Sequence, residues 1–456
     1  MHSELSADWR DHPKQWISEG WRFLNSMSIA NVNKSGATPG PASTDKSALT
    51  LVTTLFFMWG FLTCLNDILV PHLKSIFDLN YAKVMLVQFA FFSAYFFFSV
   101  PSGKVIGWIG YKKTMVGGLF IMGLGALLFI PAASVPSFPL FLAALIVLAT
   151  GITALQVSAN PYVAVLGPPE TASSRLNLTQ AFNSLGTTIA PYFGSLLILS
   201  SAPKTMGEVR QMSGQVLQAY RLHEASSVKL PYLGLGLALI ALGVVIAGFK
   251  LPSIPEAEHR SGVELAGPAK SVWKHRHLVL GAVGIFVYVG AEVSIGSFLV
   301  NYLSQPDIGN VSVQVAARFV TFYWGGAMLG RFIGSAILQK VQTGKVLGTA
   351  AIVACLLVCV SMATSGHVAM ASILLVGLFN SVMFPSIFTL GIAKLGPLTG
   401  DGSGVLVMAI VGGAIIPVLE GVMADRIGIQ RALILPAICY LYIVYYAFVG
   451  SRPRTA

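Results

Sequence analysis

Long apolar runs alternate with short polar segments along most of the chain. A helix needs about 20 apolar residues to cross the hydrocarbon core of a bilayer. Twelve runs are long enough, at 47–71, 84–107, 113–133, 137–165, 175–200, 230–251, 277–303, 314–340, 345–364, 367–393, 401–423 and 429–450. Because backbone groups cannot stay unpaired in hydrocarbon, each run is predicted to be a helix, which gives an all-α membrane protein.

The composition agrees with a chain that faces lipid. Of the 456 residues, 55% are hydrophobic and 10% are charged, whereas soluble domains carry about 25% charged residues. The net charge of +11 does not indicate a nucleic-acid partner, because the basic residues form no runs with interleaved aromatics. The basic residues lie mostly between the apolar runs instead, so the lipid bilayer is the predicted environment.

The positions of lysine and arginine predict the orientation, since these residues are enriched in cytoplasmic flanks. Basic residues concentrate before the first run, between runs two and three, in the central loop and at the carboxyl end. Both termini are therefore predicted to be cytoplasmic. The predicted parts are a mobile tail at 1–46, six-helix bundles at 47–251 and 277–456, and a linker at 252–276.

Three motif matches indicate that the two halves of the chain repeat each other. Pro161-x4-Leu-Gly recurs at Pro385, and Gly186-x4-Pro recurs at Gly412. "SGK" at 102–104 corresponds to "LGR" at 329–331. The three matches share nearly the same offset along the chain. Duplicated six-helix halves are typical of major facilitator transporters, so that fold is predicted.

Polar side chains inside the apolar runs are the candidate functional residues, because an ionisable group there is costly and usually faces a cavity. Asp67 and Glu292 occupy positions that the same offset relates, and both are predicted to couple transport to a cation. Polar and aromatic residues that line one face of their own run, in these and other runs, are predicted to converge with the two carboxylates and to bind a polyhydroxylated solute. These are Trp59, Asn66, Gln88, Tyr95, Gln156, Asn160, Gln180, Asn183, Tyr288 and Asn380.

Each candidate also has a plainer interpretation. Membrane amides often only join helices, and the aromatics can be packing or interface residues. Lys104 and Arg331 are predicted near cytoplasmic helix ends, with gate or topology roles, and Glu420 is predicted to be solvated near the outer mouth. The four cysteines are predicted to be small buried hydrophobes, with no metal site, and no histidine lies mid-run.

Several motifs resemble the fucose–galactose–hexose symporters of the major facilitator superfamily, from about Thr53 to the carboxyl end. They are "WGFLTCLND", "ANPYVAVLGP", "RLNLTQAFNSLGTTIAP", "FPSIFTLGIAKLG" and "IVGGAIIP". The resemblance implies sugar uptake by alternating access, driven by a cation gradient. It also implies a proton-coupling role for Asp67 and a sugar-binding role for Gln180 and Asn183.

Some positions depart from the fucose symporter itself. Gln156 stands where that protein has an acidic residue, Glu292 where it has a glutamine, and Phe384 where it has a tyrosine. Thr63 and Cys64 replace its asparagines. The stretches "WGFLTCLNDILVPHL" and "ALQVSANPYV" are more similar to the glucose/galactose branch, or to the N-acetylglucosamine branch beside it.

The predicted function is cation-coupled import of a hexose such as glucose or galactose across a bacterial inner membrane, by a functional monomer without a cofactor. The coupling ion is predicted to be a proton, with sodium left open. Import of N-acetylglucosamine or fucose, or export of small hydrophobic compounds, remains an alternative. A membrane enzyme is disfavoured, since the chain has no HExxH, nucleophile elbow or phosphate loop.

Overall fold

The computed structural model of the chain describes residues 44–77, 81–135, 137–197, 212–227, 229–252 and 271–453. The predicted tail at 1–46 lies almost entirely outside these residues, as does most of the predicted linker. The helices are α1 Lys46–Phe77, α2 Tyr81–Ser134, α3 Phe138–Val165, α4 Ala172–Leu197, α5 Gly214–Ser227, α6 Lys229–Gly248, α7 Arg276–Leu303, α8 Val313–Ile337, α9 Thr343–Ala363, α10 Gly366–Asn380, α11 Met383–Ile392, α12 Thr399–Met408, α13 Gly412–Ile427, α14 Ile429–Ala432 and α15 Ile434–Tyr445.

Every one of the twelve predicted runs coincides with one or more of these helices, and the described residues contain no β-strand. Eight helical stretches in the described part are long and apolar enough to cross a membrane. The outward side chains include large exposed hydrophobics such as Phe97, Trp108, Phe322 and Leu356. An apolar outer surface of this kind fits lipid and not water. Cys359, predicted to be buried, is on this surface.

The helices break at places that the run pattern did not predict. The second and third runs form one element, interrupted by Gly110, whose φ of 82° lies in the left-handed region that favours glycine. The tenth run divides between α10 and α11, just before Pro385, which lacks the amide that would continue the hydrogen-bond ladder. The eleventh run divides between α12 and α13 through a 3-10 turn.

A further difference is α5, a helix at 214–227 that lies in the predicted loop between the fifth and sixth runs. Its sequence, GQVLQAYRLHEASS, is too polar to register as an apolar run. Helix α5 contacts α1, α2 and α6, all from the first half of the chain. Residues 214–227, predicted to lie in a loop, are therefore helical.

Close helix packing through glycine repeats in the two halves. A Cβ on Gly186 of α4 would collide with the Phe57 carbonyl oxygen of α1, and a Cβ on Gly412 would collide with the Phe286 carbonyl oxygen of α7. These two glycines are the pair that the sequence repeat matched. Backbone-to-backbone contact of this kind is how membrane helices associate tightly.

The halves meet mainly along four helix pairs: α2 with α12, α3 with α12, α4 with α8, and α4 with α11. All four pairs join a helix from before residue 252 to one from after residue 271. Ser403 of α12, for instance, donates a 2.7 Å hydrogen bond to the Val157 carbonyl of α3. These pairs surround the space in which the polar candidate residues gather.

We expect Gly186→Ala to destabilise the protein by about 1–3 kcal/mol, because the added methyl group overpacks the α1–α4 contact. Gly117→Ala is the matched control, since a Cβ there meets nothing within 4 Å. Thermal unfolding of both purified variants in detergent measures the effect. Equal unfolding temperatures for the two variants would contradict this packing.

Candidate functional site

A central cavity of about 140 Å³ lies between the two halves. Helices α1, α3 and α4 form one wall and helices α7, α8 and α11 form most of the other. Its lining residues are Trp59, Gln156, Gln180, Asn183, Tyr288, Val289, Glu292, Arg331, Phe384, Pro385 and Ile410. Six of the residues predicted to bind substrate or cation therefore line one space: Trp59, Gln156, Gln180, Asn183, Tyr288 and Glu292.

Side-chain amides dominate the wall contributed by the first half. The Gln156 amide donates to the Tyr95 hydroxyl at 2.9 Å, and the Asn183 amide donates to the Phe56 carbonyl at 2.9 Å. Asn160 lies behind Gln180, with 3.5 Å between their amide groups. The Gln156 Oε1 atom is buried and has no hydrogen-bond partner among the described residues. The wall thus contains an acceptor that no described group satisfies.

A carboxylate and a group of phenols form the opposite wall. Tyr288 donates to Glu292 Oε1 at 2.8 Å and also lies 3.0 Å from the Asn380 carbonyl. The Asn380 side chain donates to the Tyr323 hydroxyl at 2.9 Å and accepts from Tyr440 at 2.8 Å. Glu292 is therefore oriented by a hydrogen-bonded network that is buried inside the second half. Asn380, predicted to contact substrate, supports the cavity wall from behind.

Two amide–tyrosine pairs correspond between the halves. Gln156 binds Tyr95, and Asn380 binds Tyr323, in both cases with 2.9 Å between the nitrogen and the phenol oxygen. The offset between the two amides, and that between the two tyrosines, is close to the one that relates the halves. Both amides were among the predicted substrate-binding residues, whereas Tyr323 and Tyr440 were not identified from the sequence. Tyr323 lies one residue beyond the position that the largest motif offset assigns to Tyr95, so a search that tolerated a shift of one residue could have found it.

Arg331 lies deeper than predicted, because its side chain lines the cavity together with Glu292. Its guanidinium donates to the Ser184 hydroxyl of α4, and its carbonyl accepts from the Asn177 amide at 2.6 Å. From the sequence, Arg331 was predicted only near a cytoplasmic helix end, so the predicted place of its side chain was wrong. The long arginine side chain carries the charge well away from its backbone position. Arg331 also joins the two halves, which agrees with a gate role.

Hydroxyl groups close one end of the cavity, where α3 ends and α4 begins. Ser173 of α4 lies 2.5 Å from the Thr389 hydroxyl and 2.9 Å from the Thr343 hydroxyl. Ser174 donates to the Ser335 carbonyl at 2.7 Å, and the Ser335 hydroxyl donates back to the Ser174 carbonyl at 3.1 Å. Each of these hydrogen bonds crosses from the first half to the second. These hydrogen bonds between uncharged groups hold this end of the cavity closed.

Three predicted site residues lie outside the described side chains. The backbones of Asn66 and Asp67 belong to α1 and that of Gln88 belongs to α2, but their side chains are among those that are not described. Lys104 is exposed on α2 and does not line the cavity, which leaves its predicted gate or topology role as a prediction.

Glu420 is not a solvated residue near a mouth, as the sequence analysis predicted. Its side chain is 0% exposed on α13, within the second half. The error arose because a carboxylate near the end of an apolar run is usually solvated, whereas α7 and α13 pack closely enough to enclose this one.

The arrangement can bind a small neutral solute with many hydroxyl groups. Amide and carboxylate groups can donate to and accept from hydroxyls, and the rings of Trp59 and Phe384 offer apolar faces. The carboxylate and the guanidinium supply charge without a metal, and the described residues contain no group of three potential metal-ligating side chains. Such a cavity suits binding and release more than bond-breaking chemistry.

Residues 50–416 match the model of the Major Facilitator Superfamily. The glucose/galactose transporter of Brucella abortus (strain 9-941) is 54% identical over 405 residues, which cover 89% of this chain and 94% of the relative. The L-fucose-proton symporter of Escherichia coli (strain K12) is 34% identical over 409 residues, which cover 89% of this chain and 93% of that protein.

The folds also agree. The crystal structure of the E. coli fucose symporter in its outward conformation superposes with a TM-score of 0.82, covering 89% of this chain and 98% of that one. The human organic anion transporter MFSD10 shares the fold at 14% identity with a TM-score of 0.60. The chain belongs to the major facilitator superfamily and, within it, to the fucose–galactose–hexose symporter family. These relatives are transporters, so the chain is a transporter and not an enzyme.

We expect a disulfide between cysteines at positions 174 and 335 to lock the closed end. The Ser174 and Ser335 hydroxyl oxygens are 3.3 Å apart, which is compatible with disulfide geometry after substitution. In a background without the native cysteines, oxidation of Ser174→Cys/Ser335→Cys should abolish solute exchange, and reduction should restore it. Ser174→Cys alone is the control. Unimpaired exchange by the oxidised, cross-linked pair would show that this end does not open during transport.

Proposed function

We propose that this chain imports a hexose, with glucose and galactose as the first candidates, by proton-coupled alternating access. The observation that carries the proposal is the central cavity, in which amides of one half face the Glu292–Arg331 wall of the other. The hydroxyl contacts between the halves provide an end that can open and close. A solute bound between two such walls would be exposed first to one side of the membrane and then to the other.

The proposed sugar class rests on the cavity and on the relatives together. Gln156, Gln180 and Asn183 offer donors and acceptors for sugar hydroxyls, and Trp59 can cover an apolar sugar face. The Brucella relative is a glucose/galactose transporter. A cavity with this many amides is a poor site for hydrophobic compounds, which disfavours export of such compounds. Import of N-acetylglucosamine or fucose is the remaining alternative.

We further propose twelve membrane crossings, made by the helices that coincide with the twelve apolar runs. The halves would be 47–251 and 277–456, joined by a cytoplasmic linker at 252–276, with both termini in the cytoplasm. The closed hydroxyl end would then face the cytoplasm. The distribution of lysine and arginine supports this orientation. We place the protein as a functional monomer in a bacterial inner membrane.

Uptake of radiolabelled sugars into proteoliposomes tests the function. Glucose, galactose, N-acetylglucosamine and fucose are compared under an inward proton gradient without sodium and under an inward sodium gradient without a proton gradient, with a protonophore as the control. We expect glucose or galactose to accumulate, and the protonophore to abolish accumulation. Accumulation of none of the sugars, or accumulation that depends on sodium alone, would overturn the proposal.

The cavity amides should contribute directly to sugar affinity. Replacing Gln156 with Ala should weaken binding by about 1–3 kcal/mol, which is roughly 5- to 150-fold in Kd, because a buried hydrogen-bonding group of the sugar would lose its partner. Gln180→Ala and Asn183→Ala should act in the same direction. Gln430→Ala is the matched control, since this amide binds the Ser361 and Thr364 carbonyls outside the cavity. Parent-like affinity in all three folded cavity variants would refute the assignment.

Asp67 is proposed to bind and release the coupled proton. Asp67→Asn mimics the protonated side chain permanently, so it should retain sugar binding and sugar-for-sugar exchange yet lose uphill accumulation. Counterflow and gradient-driven uptake, measured on the same proteoliposomes, separate these activities. Glu292→Gln is tested in parallel, because Glu292 is the second candidate carrier. An Asp67→Asn variant that still concentrates sugar as the parent does would show that Asp67 has a structural role.

A further inference from the structure

The second half contains a buried carboxylate, Glu420, that does not line the central cavity. Glu420 of α13 is 0% exposed, and neither of its oxygens has a hydrogen-bond partner among the described residues. No lysine or arginine of the described part pairs with it. A buried carboxylate without a partner is strongly disfavoured in its charged form, so such a residue is rarely retained without a role.

Helix packing fixes what Glu420 faces. A Cβ on Gly412 would meet the Phe286 carbonyl, and a Cβ on Gly290 would meet the Ile416 side chain. Both contacts have the same separation along the chain, and one further helical turn pairs Glu420 with Ser294. Helices α7 and α13 therefore run parallel, and they enclose the carboxylate between them. Ser294 is also 0% exposed, and its hydroxyl is the polar group of α7 that faces the Glu420 carboxylate.

The groups around Glu420 include no base. Ser294 faces it from α7, and Tyr323 of α8 and Cys439 of α15 lie within electrostatic reach. The nearby basic residues, Arg426 and Arg431, are exposed. The ligand that fits two unpartnered carboxylate oxygens beside one hydroxyl is a proton, because a metal ion would need several more oxygen ligands.

Glu420 is close to the cavity carboxylate without sharing its surroundings. Glu292 and Ser294 are two residues apart on α7, which is about 3 Å along the helix axis and places them on different faces. Glu292 faces the cavity, whereas Ser294 faces Glu420. Tyr323 lies within electrostatic reach of both carboxylates, and its hydroxyl is 3.5 Å from the Glu292 carbonyl.

Helix α13 is interrupted near Glu420 in a way that allows it to bend. Pro417 lies inside the helix, one turn before Glu420, and removes a backbone hydrogen bond there. The 3-10 turn Ala409–Val411 precedes the helix. A helix interrupted in this way can bend, and bending would alter the α7–α13 contact that excludes water from Glu420.

We propose that Glu420 is a second proton-binding site, enclosed in the carboxyl-terminal half, which loads and releases one proton in each transport cycle. The inference rests on the proposed proton-coupled sugar uptake and extends it. The proton comes from water on one side of the membrane, neutralises the carboxylate, and leaves to water on the other side. The parent protein would then move two protons with each sugar, one through the proposed coupling carboxylate, Asp67 or Glu292, and one through Glu420.

The number of coupled protons can be measured as the limiting sugar accumulation in proteoliposomes. Under a gradient of one pH unit with no membrane potential, each coupled proton raises the limiting ratio about tenfold, because one pH unit is a tenfold difference in proton concentration. We expect about 100-fold accumulation by the parent and about tenfold by Glu420→Gln, with exchange retained in both. Asp425→Asn is the matched control, a carboxylate on the same helix that lies outside this enclosure, and should behave as the parent.

The outcomes separate the two proposals. A parent that accumulates no sugar under the gradient overturns the proposed function, and this inference with it. If the parent is proton-coupled and the Glu420→Gln variant accumulates sugar to the same ratio as the parent, only this inference is overturned. If Glu420→Gln does not yield folded protein, Ser294→Ala keeps the carboxylate and removes the facing hydroxyl. That variant should move the pH of half-maximal uptake, and an unchanged pH profile would overturn the inference.

Discussion

The structure depends on one constraint: a polar side chain inside hydrocarbon has to find its partner within the protein. Most of these partners come from another helix, as when Gln156 binds Tyr95 or Ser174 binds Ser335. The polar groups thereby determine which helices meet and where. Partners within one half stabilise that half, and partners across the halves close one end of the cavity. The cavity is the place where polar groups from both halves remain available to a solute.

The two halves use this constraint differently. Both place an amide against a tyrosine at corresponding positions, Gln156 with Tyr95 and Asn380 with Tyr323. In the first half the amide itself lines the cavity. In the second half Asn380 is buried, and Tyr288 and Glu292 line the cavity in its place. A duplicated framework thus carries a neutral, hydrogen-bonding wall and a charged wall, which is a division suited to a sugar and a proton.

The helices and most of the cavity-lining residues could be predicted, because apolar runs and the isolated amides within them can be recognised directly in the amino-acid sequence. Gln180 and Asn183 share a helix face and lie together in the cavity as expected. Properties that depend on tertiary packing were not predictable in this way. The depth of the Arg331 guanidinium depends on its long side chain, and the burial of Glu420 depends on the glycine contacts between α7 and α13. The polar helix α5 lacks the apolar pattern on which the prediction relied.

Sugar-evoked proton movement is the most direct test of the account, since it asks whether one protein links a hexose to a proton. Proteoliposomes with a pH-sensitive dye in the lumen are given external galactose or glucose, with no gradient imposed beforehand. The account predicts that the lumen acidifies as sugar enters, and that an equal concentration of an impermeant, non-transported polyol has no effect. Sugar entry without any change in lumen pH would contradict it.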